Sequence, residues 1–176
     1  RFVNFGTSED GSAVALQSNG RIVIAGTSSG TPSAGVFRDM FAARLTAAGA
    51  MDTTFSGDGV ALGVINDKET AAAVAVQSDG KVVVAGQSYT GTTTGYDVAV
   101  VRFLSSGALD TGFSGDGKLT FAANSTGASD GASAVAINGA NQIVLAGSGT
   151  QPGGRTDFLF ARLTSAGALD IGFDGD

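Results

Sequence analysis

The side chains able to do chemistry in this chain are carboxylates and a few arginines, and they recur. The stretch TAAGAMDTTFSGDG occupies 46–59, LSSGALDTGFSGDG occupies 104–117, and TSAGALDIGFDGD occupies 164–176. Each follows a short apolar run containing Arg44, Arg102 or Arg162. Each places Asp52, Asp110 or Asp170 eight residues after that arginine. Twelve of the sixteen acids fall in four repeated columns: Glu9/Glu69/Asp130, Asp39/Asp97/Asp157, Asp52/Asp110/Asp170 and Asp58/Asp116/Asp176. Two chemistries are open to this pattern. The arginines alternate with apolar residues on one strand face, and a buried arginine must be paired. Its planar fork matches a carboxylate bidentately. Structural ion pairs Arg44–Asp52, Arg102–Asp110 and Arg162–Asp170 are therefore expected. The rival is a cation site. Asp-containing glycine loops supply hard oxygen ligands, which makes Asp58, Asp116 and Asp176 candidate calcium ligands. The EF-hand spacing is not met, and no other cofactor is expected.

Composition narrows the field. There is no His, Cys or Trp among the 176 residues, so imidazole bases, thiol nucleophiles, disulfides and Cys-based zinc sites are ruled out. Net charge is −6 and the pI is about 4.4. The ten cations are scattered, without the basic stripe that a nucleic acid or an anionic membrane requires. No apolar run approaches the length of a membrane span. Twenty-eight glycines with two prolines indicate many turns rather than collagen. An acidic, Cys-free, Gly/Ala/Ser/Thr-rich composition fits a secreted or cell-surface bacterial protein. A first residue other than Met fits a processed chain or an excised piece.

The recurrence extends over the whole chain, read as one domain of three repeats, 1–59, 60–117 and 118–176. Each repeat carries strand-like runs. The first is at 13–17, 73–77 and 134–138, and the second at 21–26, 81–86 and 142–147. The third lies at 39–45, 97–103 and 157–163, and a further run opens each repeat at 1–5, 60–65 and 118–122. Val/Ile/Phe content, short length and Gly-bearing turns select strands over helices. SNG, SDG and GAN are hairpin turns. A Ser/Thr/Gly loop of roughly a dozen residues is expected before each third run, where binding function often sits. Tyr89 and Tyr96 in that loop are candidate ligand contacts. Phe55, Phe113 and Phe173 are expected to plug the gaps between stacked sheets. No acid cluster clearly breaks the repeat symmetry; Asp67-Lys68-Glu69 comes closest, and it reads as a solvated charge cluster. Acids repeated in every copy mark architecture, so no enzyme is expected.

AVAVQSDGKVVVAG at 73–86 and DVAVVRFLSSGALDTGFSGDGK at 97–118 resemble the delta-60 repeat family. Members are tandem, mostly bacterial, extracellular β-propeller-like repeats without an established catalytic activity. The resemblance implies an all-β fold of three four-stranded antiparallel sheets as propeller-like blades. Three blades fall short of the roughly four to eight of a closed propeller, and neither end has a polar cap. Closure is expected from oligomerisation, neighbouring copies or missing repeats, with Arg1–Phe5 as a strand able to complete the last sheet. The expected role is a non-catalytic structural or interaction scaffold, self-associating or joined to further repeats. The alternative is a ligand-binding, lectin-like propeller with calcium.

Overall fold

The computed structural model describes residues 8–30, 38–66, 68–91, 95–123, 129–151 and 153–173, and all regular secondary structure among them is β-strand. Strands β1 (Ser8–Leu16), β2 (Ile22–Ser29), β3 (Arg38–Leu45) and β4 (Val60–Gly63) form a first sheet in that order. The second sheet is built the same way from β5 (Glu69–Val76), β6 (Val82–Gly91), β7 (Gly95–Phe103) and β8 (Lys118–Phe121). The third has β9 (Asp130–Ile137), β10 (Ile143–Thr150) and β11 (Thr156–Leu163). All neighbours are antiparallel, and β4 and β8 pair with the strand before them. The first two blades therefore each straddle a boundary between sequence repeats. The third sheet has three strands among the described residues, not the four expected. Arg1–Phe5, the expected completing strand, lies outside them, as does Asp176.

The sheets stack face to face. Val23, Met40 and Ala42 of the first sheet meet Val82, Val84 and Val101 of the second. From the opposite face of the second sheet, Val83, Ala85, Val98 and Val100 meet Ile143, Leu145 and Leu159 of the third. A strand covered on both faces has no polar face to present. This is why 82–85 read Val-Val-Val-Ala, with every one of these side chains fully buried. The stack also gives each blade two distinct ends. One, the connector end, holds the β1–β2-type turns and the thrice-written stretch. The other, the hairpin end, holds the β2–β3-type connections and the starts of β1, β5 and β9.

Each first strand carries a β-bulge at the same place, between Gly11 and Ala13, Ala71 and Ala73, and opposite Ala146/Gly147. The bulge explains the repeated glycines of the second run. A Cβ on Gly26, Gly86 or Gly147 would sit 2.1, 1.9 or 1.9 Å from the carbonyl oxygen of Asp10, Thr70 or Gly131. Side chains are excluded there by the backbone of the bulged strand.

One sequence expectation is corrected here, and one turn is kept despite its sequence. The dozen-residue loop before the third run is absent from the second and third repeats, where β6 runs on to Gly91 and β10 to Thr150. Its Ser, Thr and Tyr residues pair across the ladder: Ser88 lies opposite Asp97 and Tyr89 opposite Tyr96. Thr90 Oγ1 donates to Asp97 Oδ2 at 2.6 Å. Polar β-branched and aromatic residues suit a strand as well as a loop. The turn Asn138–Asn141 departs in sequence from SNG and SDG but keeps their geometry. Asn141 takes φ 58°, where Gly20 and Gly80 have 80° and 82°, and its N–H donates to the Asn138 carbonyl at 3.0 Å.

Gly86→Ala is expected to destabilise the fold by at least about 2 kcal/mol, because the methyl cannot coexist with the bulge. Urea unfolding of the variant beside Gly112→Ala, whose added Cβ meets nothing closer than 3.2 Å, checks this.

Candidate functional site

At the connector end each third strand delivers its arginine to the start of the recurring stretch. Arg44 Nε donates to Asp52 Oδ2 at 2.8 Å. Arg102 Nε reaches Asp110 Oδ2 and Arg162 Nε reaches Asp170 Oδ2 at the same distance. The two-pronged contact expected from the guanidinium does not form, because the fork divides its donors. Arg44 Nη1 crosses to the next repeat and donates to the Ser105 carbonyl at 2.6 Å, and Arg102 Nη1 does the same to Ser165 at 2.6 Å. Main-chain bonds run alongside. Ser56 N–H donates to the Ser106 carbonyl at 2.7 Å, and Ser114 N–H to that of Ala166 at 2.8 Å. The recurring stretch is thus a latch from one blade to the next.

Its other parts follow from the same local fold. The second Asp oxygen accepts the N–H of Thr54, Gly112 or Gly172, which closes a tight turn. That turn puts the aromatic ring under the guanidinium. Arg44, Arg102 and Arg162 sit 4.7, 4.6 and 4.3 Å from the ring centroids of Phe55, Phe113 and Phe173, within cation–π range. Phe55 and Phe113 are fully buried, and Phe55 meets Phe103 of the next repeat edge-on at 6.4 Å. A second donor reaches each aspartate from the start of the second strand. Arg21 Nε lies 2.9 Å from Asp52, Lys81 Nζ 3.8 Å from Asp110, and Gln142 Nε2 2.9 Å from Asp170. Sequence reasoning missed this column, although all three are long polar donors one residue after the hairpin turn.

The donors set the electrostatics. The Thr54 hydroxyl, 2.6 Å from Asp52 Oδ1, together with the Thr54 N–H and Arg44, outweighs desolvation and holds the Asp52 carboxyl below its ordinary 3.8. A depressed carboxyl contributes stability above its unfolded value, and that contribution is lost as pH falls through the folded one.

The other predicted site residues separate. Asp58 Oδ1 accepts the Val60 N–H at 2.8 Å, and Asp116 Oδ1 the Lys118 N–H at 3.0 Å, so both act as turn-forming side chains. No three His, Cys, Asp or Glu side chains converge to hold a metal among the described residues. Tyr89 and Tyr96 form an edge-to-face pair at 5.4 Å on neighbouring strands at the hairpin end, with Lys68 Nζ 5.3 Å from the Tyr89 ring centroid. Asn66, Tyr89, Thr90 and Gly91 line a shallow cleft of about 250 Å³ there. A larger cleft of about 580 Å³ opens at the connector end between the first two repeats, lined by Gln17, Asn19, Arg21, Thr54, Gln77 and Ser105. Gln17 Oε1 and Gln77 Oε1 are buried without a hydrogen-bond partner.

Glu69 overturns one expectation. The sequence predicts a solvated cluster at Asp67-Lys68-Glu69. Asp67 is outside the described residues, but Glu69 is fully buried at the junction of the first two repeats. Its Oε1 accepts the Asn66 N–H at 2.6 Å and the Ser88 hydroxyl at 3.2 Å, while Oε2 has no partner. The strand start that carries Glu69 is pinned by the Arg38–Lys68 bridge between repeats, which draws it inside. Burial, reinforced by the charge of Asp39, pushes the Glu69 carboxyl above its ordinary 4.5; burial also raises Asp39.

Stacked antiparallel blades locked by a repeated latch define a β-propeller-type repeat protein. The chain belongs to the family described as "Domain of unknown function (DUF5122) beta-propeller", which it matches over residues 17–55, 77–113 and 141–173, more than half of its length. Each matched segment runs from the first hairpin turn to the phenylalanine of the latch. No curated protein matches the chain.

Two outcomes are expected. Arg102→Met strands a buried carboxylate and should cost about 3–5 kcal/mol in urea unfolding, part of it recovered in Arg102→Met/Asp110→Asn. Glu69 titrates in the opposite sense to Asp52. Its raised folded value gives stability that is present below 4.5 and lost as pH rises through that folded value. Glu69→Gln should therefore melt above the parent at pH 7, with the difference closing on acidification.

Proposed function

We propose that this chain is a non-catalytic structural and interaction scaffold, a delta-60-type propeller module of a secreted or cell-surface bacterial assembly. The observation that carries this reading is the engagement of the repeated aspartates. Asp52, Asp110 and Asp170 bond to arginines, and Asp58 and Asp116 shape turns. Residues that serve the array in every copy are not arranged around a reacting atom. The low cationic content and the acidic pI favour partners other than nucleic acid. The composition and the delta-60 resemblance support the extracellular setting. The natural partner is a further set of the same blades, in another copy or in further repeats.

A second reading, a lectin-like module, is favoured by one observation. The connector-end cleft holds two buried carboxamide oxygens without donors, which suits a hydroxyl-rich ligand. Glycan-array screening of the purified chain, with and without millimolar calcium, separates the two. The scaffold reading expects no glycan retained above background in either condition and no calcium-dependent shift in melting temperature. Saturable binding lost in Gln77→Leu would replace it with the lectin reading.

A further inference from the structure

Four exposed apolar side chains on the outer faces of the stack, Val14, Leu16, Phe158 and Phe160, have buried or partly buried counterparts inside it. On the first sheet, Val14 and Leu16 are 65% and 74% exposed. Their counterparts Val74 and Val76 pack against the core between the first two sheets, and Val135 and Ile137 against the next core. On the third sheet, Phe158 is 82% and Phe160 48% exposed, where Ala42 and Val100, the counterparts of Phe160, are fully buried. The residues matching Phe158 are Met40 and Val98, both fully buried against a following blade. Phe158 stacks on Phe160 at 6.0 Å, and Phe160 meets Phe173 edge-on at 5.8 Å, a continuous aromatic surface.

The polar parts of the latch divide in the same way. The first and second arginines each place Nη1 on a carbonyl of the following repeat. Arg162 has its aspartate and its ring, but no such carbonyl among the described residues. The matching acceptor in the first repeat is the carbonyl of Ala47, in an exposed turn. The turns that accept these bonds are packed tightly on the preceding blade: a Cβ on Gly107 would be 2.5 Å from Ser56 N and one on Gly167 2.7 Å from the Phe113 ring. Donor, aromatic surface and acceptor turn are all built, on opposite faces of one chain.

The geometry points to head-to-tail docking of a second copy of this chain, in which the Phe158/Phe160 face of one copy covers the Val14/Leu16 face of the other. Arg162 then donates to the partner copy's turn at the position of Ala47, as Arg44 does to Ser105. The face is heterologous, so each copy offers one donor side and one acceptor side. Two copies contribute six sheets, within the roughly four to eight of a closed propeller. This inference rests on the scaffold reading and names its partner and contact surfaces.

Sedimentation equilibrium of the intact chain at tens of micromolar tests it. A mass twice the 17.3 kDa of the chain is expected. Leu16→Asp and Phe158→Asp change exposed residues, so each should keep a cooperative melt while weakening association about a hundred-fold or more. Mixed together, the two variants retain one intact junction and should form a heterodimer that neither forms alone. A monomeric parent overturns the inference. So does association sensitive to only one of the two faces, or a mixture that stays monomeric. Glycan binding by a dimeric chain would remove the scaffold reading and leave the docking intact, whereas a monomer that binds nothing would do the reverse.

Discussion

The stack depends on a guanidinium shared between two repeats. Arg44 and Arg102 each satisfy an aspartate in their own repeat, lie over a phenylalanine and donate to a main-chain oxygen in the next. Burying a guanidinium is costly unless its donors are used, and in this geometry Nη1 is used only when the following blade is in place. Hydrophobic contact between sheets is non-directional and would tolerate sliding. The arginine removes that freedom, because its Nη1 must find one carbonyl.

The opposite end of the blades is organised differently. There Glu69 carries an unpartnered oxygen into the junction of the first two repeats, and its counterpart Asp130 is fully used. Asp130 Oδ2 accepts the Ala123 N–H at 2.8 Å, and Oδ1 the Thr150 N–H at 3.2 Å. Glu69, one methylene longer, has its Oε1 bonded to the Asn66 N–H and the Ser88 hydroxyl and leaves Oε2 without a partner. The two junctions therefore share a latch at one end and differ at the other, and the asymmetry falls where the chain departs from its own repeat.

The strands were legible because each apolar run is short and bounded by glycine turns, and the blade architecture because its columns recur. The Arg–Asp pairing was legible for the same reason. What escaped was whatever depends on a partner brought up from another strand or another repeat. The carbonyl acceptor at Ser105 has no side-chain signature, and nothing about Glu69 in the string distinguishes a buried acid from a solvated one. The extension of β6 to Gly91 escaped because Ser, Thr and Tyr suit both states and only cross-strand pairing decides between them. The glycines opposite the bulge were visible as a column, but their cause lies in the carbonyl of another strand.

The acceptor side of the latch has a consequence for how such chains change over generations. Ser105 and Ser165 are read through their main-chain oxygens, and Ala47 offers the same group. Any repeat of this backbone shape presents that oxygen, whatever its side chain. A duplicated, deleted or transposed unit thus arrives already able to accept its predecessor, without a compensating substitution. The array can lengthen or shorten by whole units, with selection acting afterwards on the exposed faces and hairpins.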